Sequence, residues 1–248
     1  YEWSAVMATG ETSTHDLEPA LQAQARGDTA CLIYTSGTGG NPKGVMLSHA
    51  AVMSNCMGAR ELLRQLGLGD EVFLSFLPLS HAYEHTAGLY FPISIKAQIY
   101  FAESVETLSA NLVEVRPTIM VSVPRLYEVM HRRITLGLKR QSKIKQHLFA
   151  KAVALGRKHY ENPGSLGLVQ GALNRVLEGV VRDKVRARFG GRLKGMVSGG
   201  APLNFEVGVF FTALGVRLLQ GYGQTEAAPV ISCNPPNLVK LHTVGPPF

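Results

Sequence analysis

TACLIYTSGTGGNPKGVMLSH, residues 29–49, is a short apolar, β-branched run followed by a loop dense in glycine and hydroxyl side chains, with a lysine between proline and glycine. A strand that feeds such a loop presents backbone N–H groups to a phosphate, because glycine reaches positive φ freely and lets the backbone approach an anion closely. The loop is not a Walker A sequence: Lys43 follows Pro42 and precedes Gly44, where that motif needs Ser or Thr. A dinucleotide fingerprint fails as well, since Gly37-Thr38-Gly39-Gly40-Asn41-Pro42 ends in proline. Asn41, preceding proline, is biased to extended torsions, so the loop cannot run straight into a helix.

On either side of this stretch, short β-branched runs alternate with helix-like segments, the pattern of an α/β fold with a largely parallel sheet and flanking helices. The other expected strands are EVFLSFL (71–77), AQIYFA (97–102), TIMVSV (118–123), LKGMVS (193–198) and VRLLQGY (216–222). Ser104 is expected to cap a helix that stops before Pro117. A second helix is expected over about 173–189, with Val176, Leu177, Val180, Val181, Val185 and Phe189 on one face and Gly190-Gly191 ending it.

The 248 residues are 46% hydrophobic, enough for a sizeable core, and carry a net charge of +7. Nine of the 25 Lys and Arg lie between Val129 and Tyr160 with no Asp or Glu among them; the remaining 16 basic and 18 acidic residues leave the rest of the chain at −2. The apolar residues of this segment recur at helical spacing, so a basic amphipathic helix or helix pair is expected there, an excursion at about 129–165. A solvated face is one reading of residues 132–158; attraction to an anionic membrane or polyphosphate is the other. Nucleic acid is not expected, because aromatic residues do not alternate with the charges. Three scattered cysteines supply neither a disulfide framework nor a zinc pattern, which fits a reducing, cytoplasmic setting. No charged-then-apolar leader opens the sequence and no apolar run nears the roughly 18 residues of a membrane span, so a soluble protein is expected.

YTSGTGGNPKGVMLSH resembles the phosphate-binding signature of the adenylate-forming enzymes, and two further strings in the right order, SGGAPL (198–203) and QGYGQTE (220–226), resemble that family's later motifs. The resemblance runs from Asp28 onward and implies an α/β fold, part of the large domain of such an enzyme: residues 1–27 as a polar entry segment, 28–248 as a partial adenylation domain, and no C-terminal small domain. It implies ATP and Mg²⁺, with coenzyme A as co-substrate. Thr35, Ser36, Gly37, Thr38, Gly39, Gly40 and Lys43 would hold the β- and γ-phosphates. The backbone of Gly199, Gly200 and Ala201 would line the purine. From QGYGQTE, Gln220, Gly221, Tyr222 and Gly223 would border the nucleotide, with Tyr222 stacking on adenine, Thr225 donating to the α-phosphate, and Glu226, taken as a buried carboxylate, binding Mg²⁺ with Thr35. Gly39 departs from the family pattern, which places a second hydroxyl there.

HAYEH at 81–85 satisfies H-x-x-E-H, a zinc-hydrolase spacing. No third ligand is evident, and the resemblance instead places His81 in the acyl pocket near the reacting carboxylate, with His85 structural. PRLYEVMHRRI (124–134) and VRDKVRARFGGRLKGMVSGGAPL (181–203) resemble the long-chain fatty acyl-CoA synthetase branch. The implied activity is ATP-dependent activation of a long-chain fatty acid through acyl-AMP, then thioester formation, catalysed with Lys43, Thr225, Glu226 and His81. A fatty acyl-AMP ligase and a non-catalytic ATP-binding fragment stay open as alternatives, and a peripheral position on the inner face of a membrane is expected beside the cytoplasmic one.

Overall fold

A computed structural model of the chain describes residues 2–35 and 40–248. The entry segment holds two short helices, α1 (Trp3–Glu11) and α2 (Glu18–Ala23), with no buried residue in either. β1 (Thr29–Thr35) then pairs antiparallel with β2 (Lys43–Ser48), Thr35 opposite Lys43. This corrects two expectations. The 29–34 strand does not join the parallel sheet, and VMLS belongs to a strand that was not foreseen. A short return suits an antiparallel partner, whereas a parallel one needs a crossover of a dozen or more residues. Ser48 Oγ accepts from the Ala51 N–H at 3.2 Å and so caps α3 (His49–Leu63).

The main sheet starts with β3 (Val72–Ser75), followed by α4 (Ala82–Glu84), a π-helical turn (His85–Tyr90) and α5 (Phe91–Ser94) in one passage. β4 (Gln98–Phe101), α6 (Leu108–Val115) and β5 (Ile119–Ser122) come next. The long helical stretch is α7 (Pro124–Lys139), α8 (Lys143–Glu161), α9 (Leu168–Leu177), a second π-helical turn (Glu178–Arg182) and α10 (Asp183–Ala187). β6 (Gly195–Ser198), α11 (Phe205–Ala213), β7 (Leu218–Gly223), a 3₁₀ turn (Thr225–Ala227) and β8 (Val230–Cys233) complete the order. The sheet runs β4-β3-β5-β6-β7-β8; all neighbours are parallel except β8, which is antiparallel to β7. The five expected strands after the first all lie in this sheet.

Period-two alternation divides the core between the two faces of the sheet. Phe73 and Ile119 face α3 and α5, while Leu74, Met120 and Met196 face the helical stretch with Leu112, Tyr127, Phe189 and Phe211. Helix ends follow the expected signals with one shift. α6 stops at Val115 before Pro117, but it starts at Leu108; Ser104 Oγ accepts from the Thr107 N–H in the turn ahead of it. The helix expected over 173–189 begins at Leu168, and Gly190 and Gly191, at φ +84° and +74°, end it. Leu177, Val181, Val185 and Phe189 are buried as expected, but Val176 and Val180 are exposed. The π turn is the reason: its i→i+5 bonding carries a four-residue spacing on one face.

α7 and α8 are the expected basic pair. Arg157 is engaged by Glu161 at 2.8 Å and Glu206 at 2.6 Å, and Lys158 donates to Gln170, so the segment's charge is not one uniform free face. All three cysteines are free; burial pushes the Cys233 thiol up to about 12. No helix of the described residues is long and apolar enough to cross a membrane.

Candidate active site

The strand order reverses direction between β3 and β5: β4 lies on one side of β3, and β5, β6 and β7 follow on the other. Open α/β sheets bind ligands at such a switch point, outside the carboxyl ends of the strands. There the segment after β3 crosses over to β6. His81 Nδ1 accepts from the Tyr83 N–H at 3.2 Å, starting α4, and the Tyr83 hydroxyl donates to the Val197 carbonyl at 3.0 Å. Ser122 Oγ, at the end of β5, donates to the same carbonyl at 3.1 Å and is itself bonded to the Tyr127 hydroxyl. Burial pushes the Tyr83 and Tyr127 phenols well above their ordinary range, so both remain donors.

A cavity of about 50 Å³ opens above this crossover, lined by His81, Tyr83, Gly199 and Gly200 and by Gly221 through Thr225. Gly199 lies close against Tyr83: a Cβ there would sit 2.8 Å from Tyr83 Cζ. Gly200, at φ +80°, turns the chain in a conformation that other residues resist. Gly221 and Gly223 pack against β8, a Cβ on Gly223 falling 2.2 Å from the Pro229 carbonyl oxygen, so packing alone already requires glycine there. Tyr222 is half exposed at the mouth.

The structure thus brings His81, Gly199, Gly200, Gly221, Tyr222, Gly223 and Thr225 together. The hairpin that carries Thr35 and Lys43 packs through β2 against the Thr225–Ala227 turn, so the first and third motifs meet. Lys43 and Gly40 are exposed, and Gly40 has φ +90°. Ser36, Gly37, Thr38 and Gly39 lie outside the described residues.

Three expectations need correction. Gln220 is buried with its side chain turned inward: Oε1 accepts from the Leu203 N–H at 2.8 Å and Nε2 donates to the Leu241 and Thr243 carbonyls, which leaves no amide group for a nucleotide. Ala201 is exposed and not among the cavity lining. Glu226 is exposed, not buried, so the argument that a buried carboxylate needs a cation does not apply to it. H-x-x-E-H is likewise not a two-histidine helical turn. His81 is extended ahead of the helix, His85 Nδ1 donates to the Leu79 carbonyl at 3.1 Å, and Glu84 is turned to Ser75.

Two residues were missed. Tyr83, the floor under Gly199, sat inside HAYEH, where the histidines drew the reading. Asn55 of α3 clamps the third motif: Nδ2 donates to the Ala227 carbonyl at 2.9 Å and Oδ1 accepts from the Val230 N–H at 2.8 Å. A contact across more than 170 residues leaves no local signal.

Glu84 is fully buried and accepts from the Ser75 hydroxyl at 2.5 Å through Oε1. Burial pushes its carboxyl up to about 7 against the pull of the Ser75 hydroxyl and the backbone N–H groups of Phe76 and Leu77. A carboxyl raised on folding contributes stability that is complete below its ordinary value of 4.5 and is lost as pH rises through about 7. The loss amounts to about 3 kcal/mol. Unfolding free energy measured by urea titration is therefore expected to fall over that window, and Glu84→Gln to flatten the profile; an unchanged profile in the variant would assign the pH dependence elsewhere.

The AMP-binding enzyme family model matches residues 2–248. The chain belongs to the AMP-binding enzyme family. Among curated relatives, it is 32% identical over 232 residues to a long-chain-fatty-acid–CoA ligase, FadD15, of Mycobacterium bovis, covering 94% of this chain and 38% of that protein. It is also 32% identical over 253 residues to the human long-chain-fatty-acid–CoA ligase ACSBG2, covering 99% of this chain and 37% of that protein. The chain thus spans well under half the length of these relatives. Among solved structures, a benzoate CoA ligase from Burkholderia xenovorans aligns over 91% of this chain and 36% of its own, with TM-score 0.58 and 26% identity. ATP-bound MatB from Rhodopseudomonas palustris aligns with TM-score 0.61 at 22% identity, a likeness of fold. The mixed α/β fold with its mostly parallel sheet is the fold of adenylate-forming enzymes.

Proposed function

We propose that the protein containing this chain is a long-chain fatty acid CoA ligase, which joins a fatty acid to AMP and passes the acyl group to coenzyme A. The observation that carries this is the meeting, at the sheet's switch point, of the glycine-lined cavity with a hairpin whose strand β2, starting at Lys43, packs against the Thr225–Ala227 turn. The long-chain relatives support the substrate class.

In this reading the chain mainly positions two anions and stabilises the charge that develops between them. Thr35, Ser36, Gly37, Thr38, Gly39, Gly40 and Lys43 hold the β- and γ-phosphates, which leave as pyrophosphate. Thr225 donates to the α-phosphate, Tyr222 stacks on adenine, and the backbone at Gly199 and Gly200 borders the purine. His81 orients the acyl carboxylate at the cavity wall. No described residue pairs with Glu226 in an ion pair, and Mg²⁺ is usually held by one or two carboxylates together with substrate phosphates, so an exposed Glu226 fits that ion, and Thr35 would be its second protein ligand. Bound there, the ion would neutralise phosphate charge.

Pyrophosphate release by the full-length protein with palmitate, with and without coenzyme A, tests the reading. Release together with thioester supports it; release without thioester turns it into an acyl-AMP ligase, and no release leaves only nucleotide binding. A cytoplasmic setting with docking on anionic membrane through residues 132–158 accompanies this proposal. Substituting those basic residues with glutamine and finding binding to phosphatidylglycerol vesicles unchanged would overturn the docking.

A further inference from the structure

The turn that borders the cavity at Gly199 and Gly200 is anchored by one hydrogen bond at each end. The Gly199 N–H donates to the Ser122 carbonyl at 3.1 Å, which ties the start of the turn to β5, and the Leu203 N–H donates to Gln220 Oε1 at 2.8 Å. Between them, neither the Gly200 nor the Ala201 N–H bonds to a described residue, and Pro202 has no N–H to offer. The far anchor of the turn is therefore a side chain of β7.

Gln220 is buried, and its amide fits in one orientation only. An N–H can only donate and a carbonyl can only accept, so Oε1 must face Leu203 while Nε2 faces the carbonyls of Leu241, at 3.3 Å, and Thr243, at 3.0 Å. Its own carbonyl accepts from buried Asn234, through the backbone N–H at 2.9 Å and Nδ2 at 3.2 Å, and the same Nδ2 reaches the Thr243 carbonyl at 2.6 Å. A buried amide is costly unless its hydrogen bonds are made, and these are made only when Leu203, β7 and the 241–243 turn keep one mutual arrangement. An aliphatic side chain would fill the same space without that constraint. Gly221, Tyr222 and Gly223, the residues that follow Gln220, line the same cavity as Gly199 and Gly200. His81 and Tyr83 are fixed by other bonds, from the Tyr83 N–H to His81 and from the Tyr83 hydroxyl to the Val197 carbonyl.

We infer that Gln220 is a positioning residue for nucleotide binding: without touching the ligand, it holds the Gly199–Gly200 turn in place relative to Tyr222 and so sets the fit of the purine between them. The inference rests on the proposed function, which puts ATP in this cavity, and its consequence falls on ATP rather than on the fatty acid. Equilibrium dialysis of labelled ATP and, separately, labelled palmitate against the full-length protein reads it without turnover. Gln220→Met, similar in length but without polar groups to meet these partners, should weaken ATP binding at least about tenfold and leave palmitate binding within about twofold. Gln220→Glu keeps an acceptor for Leu203 and, protonated, donates to one carbonyl; ionised, it faces both carbonyls with no donor. Relative to the unaltered protein, its ATP affinity should fall as pH rises from about 6 to about 8. Lys194→Met breaks the pairing with buried Glu71 ahead of β3 and β6, and should lower the melting temperature while leaving ATP affinity within about twofold. Unchanged ATP binding in Gln220→Met, equal losses for ATP and palmitate, a pH-independent Gln220→Glu, or an equal ATP loss in Lys194→Met would overturn the assignment. No ATP binding by the unaltered protein would overturn it together with the proposed function, whereas ATP binding without pyrophosphate release would remove the reaction alone.

Discussion

Gly199→Val is expected to reduce pyrophosphate release by about 100-fold or more while leaving the melting temperature comparatively little changed. Gly199 follows β6 directly, and its backbone lies over the Tyr83 ring, with a hypothetical Cβ only 2.8 Å from Cζ and 3.1 and 3.2 Å from the two Cε atoms. Tyr83 cannot yield easily: it is buried and its hydroxyl is held by the Val197 carbonyl. The Gly199-Gly200 turn must then lift instead, carrying the cavity wall with it by something near 1 Å, and displacements of that size cost about two orders of magnitude in rate. Single-turnover kinetics should show the loss in adenylate formation. Near-normal pyrophosphate release would mean that this turn does not border the reacting groups.

Arg182→Ala is expected to lower the unfolding free energy by about 3–5 kcal/mol, read from the urea midpoint at constant m. Arg182 is only 4% exposed and ties three helices together. Its Nε donates to the Ala213 carbonyl at 2.7 Å, and Nη2 to the Ala152 carbonyl at 2.9 Å and to Asn174 Oδ1 at 2.7 Å. Nη1 donates to the Asn174 carbonyl at 3.1 Å and pairs with Glu178 at 3.2 Å. Alanine would take the donor from the Ala213 carbonyl at the end of α11 and from Asn174 Oδ1, and the second donor from the Ala152 carbonyl, and unmade buried hydrogen bonds cost more than made ones contribute. Here α8 already presses so closely on α11 that a Cβ at Gly156 would lie 2.4 Å from the Ala213 carbonyl oxygen, so neither helix can move in to compensate. Lysine, a point donor without the planar fork, should recover little of the loss.

Much of this fold follows from short-range pattern. The alternation of apolar runs with helix-like segments located the five parallel strands of the six-stranded sheet but not β8, and the torsional limits before Pro117 and at Gly190-Gly191 placed two helix ends correctly. The three motifs were legible because each sits where a strand ends. Glycine there has more than one physical cause, however. Gly221 and Gly223 serve packing against β8, and Gln220 reads as a motif residue yet spans β7 and the 241–243 turn through its side chain.

Burial and partnership were the readings that local pattern could not supply. A glutamate after a strand looked like a buried one, and Glu226 is exposed; Glu84, inside a metal-like spacing, is buried, as is Glu71. Solvent access depends on which strands become neighbours, and the pairing order carries no signature in any one segment. The sequence by itself determined the five parallel strands and the helix ends before Pro117 and at Gly190-Gly191, because steric and torsional preferences act over a few residues. Only the tertiary structure decided that β1 leaves the sheet for a hairpin beside Thr225–Ala227, that Tyr83 floors the turn at Gly199, and that Asn55 fixes the Ala227–Val230 loop. These are contacts between segments more than a hundred residues apart, set by the packing of two sheet faces rather than by any neighbour in sequence.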